Sequence, residues 1–291
     1  MILIDHTDPT WQRLRTRTNG AETYSKDIVA LDIPHWRECG DVVVSTCPRL
    51  NTINVSNYDI SEGLTAVQYL HTFSHTDPLG YIREIVDGVK FKPKQIIFIS
   101  AYRAYVDMIR AAGYAAYFMP MTITPPPVQP VECRRNDAIL WFGNVYSERR
   151  SVYAEVKAAA SAFGLKFHSI SNGIYTHDGG NDMVTQQEAW EIVNTYRYGI
   201  GVGRCALEMM SMGIRVMIAG HRFGGIIADV GDYHMQRLSN FGGRQVTYDF
   251  DIANCLLAMM TRPNYFDPAP HIAQDLKDRV HILKEIISDI K

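Results

Sequence analysis

Short, uniformly apolar runs alternate along the chain with longer stretches whose apolar residues recur every three to four positions. Ile96 to Ser100 (IIFIS) is the clearest run. Its apolar character at successive positions is that of a parallel strand covered on both faces. Met1 to Asp5, Asp41 to Ser45, Tyr114 to Met119, Ala138 to Phe142, Leu165 to Ile170 and Val216 to Ala219 read as further strands, being short and rich in β-branched or aromatic residues. Between them, residues 22–30, residues 101–113 (stopped by Gly113), Arg150 to Phe163, Thr185 to Asn194 and Arg204 to Met212 (ended by Gly213) read as helices. Residues 61–71 read as a helical or turn segment, and Ser171 to Gly180 and Gly242, Gly243 and Arg244 as polar rim loops. Residues 270–290 form an amphipathic helix with Ile272, Leu276, Val280, Leu283 and Ile287 on one stripe.

This alternation predicts an α/β protein. Four prolines lie within Thr124 to Pro130. They remove backbone donors and fix φ, so neither a helix nor a central strand continues through them. A domain boundary is placed there. The chain then divides into a first domain over 1–123, a proline-rich linker over 124–135, a second domain over 136–268 and a C-terminal helix over 269–291. The expected architecture is two Rossmann-like, doubly wound domains facing across a cleft, with ligands at the carboxyl ends of the strands.

Composition narrows the function classes. Lys and Arg total 29 and Asp and Glu 31 in 291 residues, a net charge of −2, which argues against a polybasic coat for nucleic acid. A hydrophobic fraction of 46% with 21% charged residues excludes a wholly disordered chain. No apolar stretch approaches the roughly 18 residues of a membrane span. The start, MILIDHTDPTW, has neither the charged nor the long apolar region of a signal peptide. Cys39, Cys47, Cys133, Cys205 and Cys255 are scattered and form no CxxC pair, so reduced thiols in the cytoplasm are expected. No HExxH or similar spacing occurs, and no metal site is expected.

The most informative segment is Tyr198 to Gly213, YGIGVGRCALEMMSMG. Glycines at 199, 201 and 203 let a backbone turn tightly and approach a ligand. A helix starting near Arg204 or Cys205 points its free N–H groups at an anion such as a diphosphate. Glu208, one turn in, is placed to accept hydrogen bonds from a ribose diol. The same spacing also fits a glycine-rich turn before a core helix, with Glu208 a dipole partner. In WQRLRTRTNG, Arg13, Arg15 and Arg17 alternate near Trp11, with Lys26 beyond. An extended loop would point these cations to one side, suited to phosphates, with Trp11 stacking on a base; a solvated loop fits equally. Asp5, His6 and Asp8 follow the first strand and supply carboxylates or an imidazole able to act as a base; capping of the strand end and solvation fit them as well.

GVGRCALEMMSMGIRVMIAG resembles the donor-nucleotide segment of GT-B glycosyltransferases, whose pattern runs roughly "G…ALEAMAMGxPVI". The resemblance implies that Glu208 holds the ribose hydroxyls of a nucleotide sugar and that Gly203, Arg204 and Cys205 approach its diphosphate. LWFGNVYSERR (140–150) is similar to the family's first C-domain strand and "GR…KG" loop, with Asn144 in place of the first basic residue. Gly143, Asn144, Arg149 and Arg150 then border the diphosphate, an arginine supplying the cation. NGAETY (19–24) resembles the "GGAExY" turn, so Asn19 and Gly20 lie near donor phosphate and acceptor. YLHTFSH (69–75) resembles the segment whose histidine contacts the donor sugar, favouring His71 over His75. The loop GHRFGG adds His221, Gly224 and Gly225 as sugar contacts. In this family the last helix crosses back to the first domain.

Many retaining members carry a second acidic residue eight positions before the ribose glutamate; here that position is Ile200, which leaves retention or inversion open. The implied activity is metal-independent hexosyl or pentosyl transfer from a nucleotide sugar, a UDP-sugar by preference. His71, Asp5 and Asp8 are the catalytic candidates. The basic acceptor-side loop (Trp11, Arg13, Arg15, Arg17, Lys26) is similar in kind to bacteriophage DNA-base glycosyltransferases, which would make the acceptor a hydroxymethylated pyrimidine in the host cytoplasm. The rivals are a nucleotide-sugar 2-epimerase of the same fold and a non-catalytic nucleotide-binding module.

Overall fold

The computed structural model describes residues 2–5, 30–36, 42–45, 65–70, 78–87, 94–129, 131–220, 224–243, 251–263 and 266–290. The chain divides into two compact units, residues 1–120 with 277–291, and residues 121–276. Both are Rossmann-like α/β units.

In the first unit the elements run β1 (Ile2–Asp5), α1 (Ala30–Trp36), β2 (Val42–Ser45), β3 (Thr65–Leu70), α2 (Pro78–Asp87), β4 (Gln95–Ser100), α3 (Arg103–Ala111) and β5 (Ala115–Phe118). The five strands are parallel and lie in chain order. β3 corrects the helical reading of residues 61–71. Thr65 and Val67 are β-branched, all six residues are buried, and both neighbours pair with the strand. In so short a window, burial on both faces erases the polar alternation that marks a strand. Leu70 and Phe98 from the sheet pack with Ile82 and Ile85 of α2 and Val106 and Ile109 of α3.

The second unit runs β6 (Arg135–Phe142), a 3-10 turn (Ser147–Arg149), α4 (Arg150–Ala162), β7 (Lys166–Ser171), β8 (Ile174–His177), β9 (Gly180–Met183), α5 (Gln186–Asn194), β10 (Tyr196–Gly201), α6 (Gly203–Ser211), β11 (Arg215–Ala219), β12 (Gly224–Ile226), α7 (Val230–Leu238) and α8 (Ile252–Thr261). The long helix α9 (Ala269–Ile290) begins in this unit, and its residues from Lys277 onward cluster with the first. The sheet order is β12-β11-β10-β6-β7-β8-β9, with parallel central strands and antiparallel ones at both edges. Ser171 to Gly180, read as a polar loop, is largely β-hairpin. Asn172 (φ 53°) and Gly173 (φ 74°) turn the chain from β7 into β8, and the alternating exposed residues of Ile174–His177 are those of a strand with one face to solvent.

Helices cover both faces of this sheet. Ile139 and Trp141 of β6, Tyr198 and Ile200 of β10 and Met217 and Ala219 of β11 share one face, since alternate strand residues point the same way. That face packs on Val152 and Val156 of α4 and Leu256 and Met259 of α8. Gly199 and Gly201 lie on the opposite face, against Met209 of α6. Arg134 secures two helix ends at once: its Nε donates to Asn194 O at 3.0 Å and its Nη1 to Gly213 O at 2.8 Å, which satisfies carbonyls left open where α5 and α6 stop.

Candidate functional site

Strand order reverses between β6 and β10. From β6 the chain moves outward through β7, β8 and β9, then returns to β10 on the other side and continues to β11 and β12. The connections leaving the carboxyl ends of β6 and β10 therefore diverge, and ligands of such sheets bind at this point of reversal. Two of the sequence-nominated segments lie at these ends: the loop beginning Gly143–Asn144 after β6 and the start of α6 after β10.

The two are in contact. A Cβ on Gly143 (φ 134°) would stand 3.5 Å from the Cys205 sulfur. Burial, together with the Glu208 carboxylate, pushes the Cys205 thiol up to about 12, against the opposing pull of the Arg204 and Arg149 guanidinium groups. At neutral pH this thiol is protonated, hence no nucleophile.

Arg204 stands where the positive end of the helix dipole disfavours a cation. Glu208 offsets this, because Arg204 Nε donates to its Oε1 at 2.7 Å, one turn along the helix. The result is a carboxylate only 2 % exposed and a guanidinium held at the tip of α6. The nominated ribose ligand is thus already an acceptor for a neighbouring arginine.

On the β6 side, Arg149 Nη1 lies 3.5 Å from Asn144 O, and its guanidinium lies 5.7 Å from the centre of the Tyr146 ring. Asn144 supports this loop: its Nδ2 donates to Tyr146 Oη at 3.2 Å, and its Oδ1 accepts the Asn172 N–H at 3.0 Å. Asn144 is a brace, which accounts for a neutral residue at the position the resemblance makes basic. Arg150 is exposed at the first position of α4.

The glycines divide by role, which corrects the reading of 199, 201 and 203 as one ligand turn. Gly199 and Gly201 lie inside β10 and admit α6. A Cβ on Gly199 would stand 2.4 Å from Met209 Sδ, and one on Gly201 would stand 2.8 Å from Phe142 O. Only Gly203 has the positive φ, 55°, that opens the helix. Gly224 and Gly225 belong to β12, opposite Ala219 and Ile218.

One contributor escaped the sequence. Residues 239–243 (SNFGG), following α7, are all buried, so Gly242 and Gly243 are not the rim residues the sequence suggests. Phe241 O accepts the N–H of Gly203 at 2.8 Å, and a Cβ on Gly220 would stand 2.1 Å from Gly242 O. This loop therefore lies against the ends of both β11 and α6. Its only sequence signal is the glycine pair.

His6, Asp8, Trp11, Arg13, Arg15, Arg17, Asn19, Gly20, Lys26, His71, His75, His221 and Arg244 lie outside the described residues, and of Asp5 only the backbone, at the end of β1, is described. Among the described residues, no three His, Cys, Asp or Glu side chains group as a metal ion requires, and no helix is long and apolar enough to cross a membrane.

No protein-family model matches the chain, and no curated protein does. Among solved structures the chain is similar to the GtfA/B complex, with a TM-score of 0.50 and 14% identity over 89% of this chain. It spans 60% of that structure's chain. Two others score below 0.5 and add nothing to the assignment. They are the glycosyltransferase SnogD from Streptomyces nogalater (TM-score 0.42, 13% identity, 92% of this chain and 75% of that one) and the glycotransferase of kitacinnamycin (TM-score 0.41, 11% identity, 99% and 91%). At such identities the likeness to the first establishes the fold.

Proposed function

We propose that the chain is a GT-B-type glycosyltransferase that moves a sugar from a nucleotide sugar, a UDP-sugar, to an acceptor hydroxyl. The observation that carries this reading is the contact of the Gly143–Asn144 loop, with Arg149 beside it, against the Arg204-bearing tip of α6 where strand order reverses. A diphosphate leaving group develops negative charge as the glycosidic bond breaks. Once the donor is seated, a helix amino terminus and two guanidinium groups stabilise that charge without reorganising during the reaction itself. In this reading they do the work of a metal ion.

Glu208, on the same helix, accepts from the ribose hydroxyls while it orients Arg204. His71 contacts the donor sugar, and Asp5 and Asp8 supply the acceptor-side carboxylates. The acceptor class is taken from the basic loop around Trp11 and is a hydroxymethylated pyrimidine in DNA.

Radiolabelled UDP-hexose and UDP-pentose, each with hydroxymethylated and with plain DNA, test the reading. The expected result is label on hydroxymethylated DNA only. Turnover of donor without acceptor would make the chain an epimerase, and binding without turnover a non-catalytic module. Calorimetry locates the donor: Glu208→Ala is expected to weaken UDP binding by about 1–3 kcal/mol, the scale of a lost charged hydrogen bond. Unchanged affinity in a folded variant removes Glu208 from the site.

A further inference from the structure

The loop against the tip of α6 is under internal tension. Asn240 (φ 56°) and Phe241 (φ 49°) are consecutive non-glycine residues in the left-handed region. Asparagine visits it readily, but a bulky residue such as phenylalanine rarely does. Phe241 is held there by burial of its ring, whose centre lies 5.3 Å from that of Tyr233. Two acceptors add to the tension. Among the described residues, Gln236 Oε1 and Asn240 Oδ1 are buried with no hydrogen-bond partner, on residues only 1 % and 4 % exposed. A buried acceptor without a donor forfeits its hydration uncompensated. Within the loop the N–H groups of Asn240, Phe241 and Gly242 donate to Arg237, Gln236 and Ser239 O at 3.2, 2.8 and 2.9 Å, and the bond that reaches the site runs from the Gly203 N–H to Phe241 O.

That bond occupies the leading amide of the helix, the group an anion would take. We propose that residues 239–243 are a ligand-displaced plug. Without ligand, the Phe241 carbonyl holds the Gly203 amide; a nucleoside diphosphate takes that amide and the loop moves aside. The inference rests on the nucleotide reading above. A phosphate oxygen carries charge, so it competes for a helix amino terminus better than a neutral carbonyl does. Release lets Phe241 relax its backbone and exposes the two amide oxygens to water or to sugar hydroxyls. The stored tension lowers the cost of opening, and the carbonyl keeps neutral ligands from opening it.

Asn240→Gly and Asn240→Ala separate this from other roles of the residue. Glycine accepts positive φ freely and removes one unpaired acceptor, so it favours the closed loop. Alanine removes the same acceptor but tolerates positive φ less well than asparagine, so its two effects oppose. If ligand binds only the open form, affinity falls by the factor that closure gains. UDP titration is expected to give about tenfold weaker binding for Asn240→Gly and a change within about threefold for Asn240→Ala. Hydrogen exchange on the wild-type protein is expected to quicken over residues 239–243 and slow over α6 when UDP is added.

Equal weakening in both variants would make Asn240 a plain ligand contact. No weakening in either, or UDP slowing exchange in the loop as well, would make the loop a fixed scaffold. Each of these results overturns the plug. If UDP binds and loop exchange is unaltered, the plug alone falls. If neither UDP nor inorganic pyrophosphate binds the wild-type protein at millimolar concentration, the nucleotide reading falls and takes the plug with it.

Discussion

Gly199 and Gly220 both leave too little space for a methyl group, yet they differ in what stands in the way. At Gly199 the obstacle is the thioether of Met209, 2.4 Å from an added Cβ; at Gly220 it is the backbone carbonyl of Gly242, 2.1 Å away. A methionine sulfur swings aside through several rotatable bonds. A carbonyl in a buried loop cannot, so the loop must shift as a whole. Gly220→Ala is therefore expected to cost about 1–3 kcal/mol, as overpacking does, and Gly199→Ala less than about 1 kcal/mol. Urea unfolding of the two variants measures the difference, and equal costs would show that the Gly242 carbonyl yields as readily as the Met209 side chain.

At the scale of elements, the β8–β9 hairpin shows how a buried titratable group ties an edge to a sheet. His168 of β7 is buried; its Nδ1 lies 2.5 Å from Tyr196 Oη, and its Nε2 lies 3.3 Å from Asp178 Oδ1 in the hairpin turn. Tyr175 Oη lies 2.7 Å from Tyr196 Oη, Lys166 Nζ pairs with Asp178 Oδ2 at 2.7 Å, and the His177 ring lies edge-on to that of His168. Burial lowers the His168 pKa below its usual 6.5, and the Arg135 and His177 charges add to this against the pull of Asp178. The unfolded chain thus binds this proton more readily than the folded one. The linked stability is fully present above about pH 6.5 and is lost as pH falls towards the lower folded value. Amide exchange in residues 174–183 is expected to quicken as pH falls below about 6.5, after correction for intrinsic rates. In His168→Gln that pH dependence should vanish; its persistence would assign the effect to another group.

Across the molecule, the contact of greatest sequence separation among those described here joins Arg279 to Asp32. Arg279 Nε donates to Asp32 Oδ1 at 2.8 Å across 247 residues of sequence. Tyr69 Oη donates to Asp32 Oδ2 at 2.6 Å, and Trp36 Nε1 to Tyr69 Oη at 3.1 Å. Asp32, Trp36, Tyr69 and Arg279 are all buried, so the second half of α9 forms part of the core of the first unit. Removing one member leaves a charge without its counter-ion in a dry site. Arg279→Ala is expected to destabilise that unit by about 3–5 kcal/mol. Denaturation should then split into two transitions, with the first unit melting early. A single unshifted transition would show that the pair is expendable.

The order of apolar runs and periodic segments determined the α/β class, most of the parallel strands and the span of the last helix. Those features follow from local propensity and from burial that repeats along the chain, which a sequence displays directly. The segment GVGRCALEMMSMG likewise announced a helix behind a glycine turn, with a carboxylate one turn in. Tertiary structure alone decided the rest. It made 65–70 a strand by pairing it on both sides, and it gave Gly199 and Gly201 to helix packing. It brought the Gly143 loop against the tip of α6 and set residues 239–243 against that tip as well. Each of these depends on which distant atoms meet, and distances between residues far apart in sequence leave no periodicity to read.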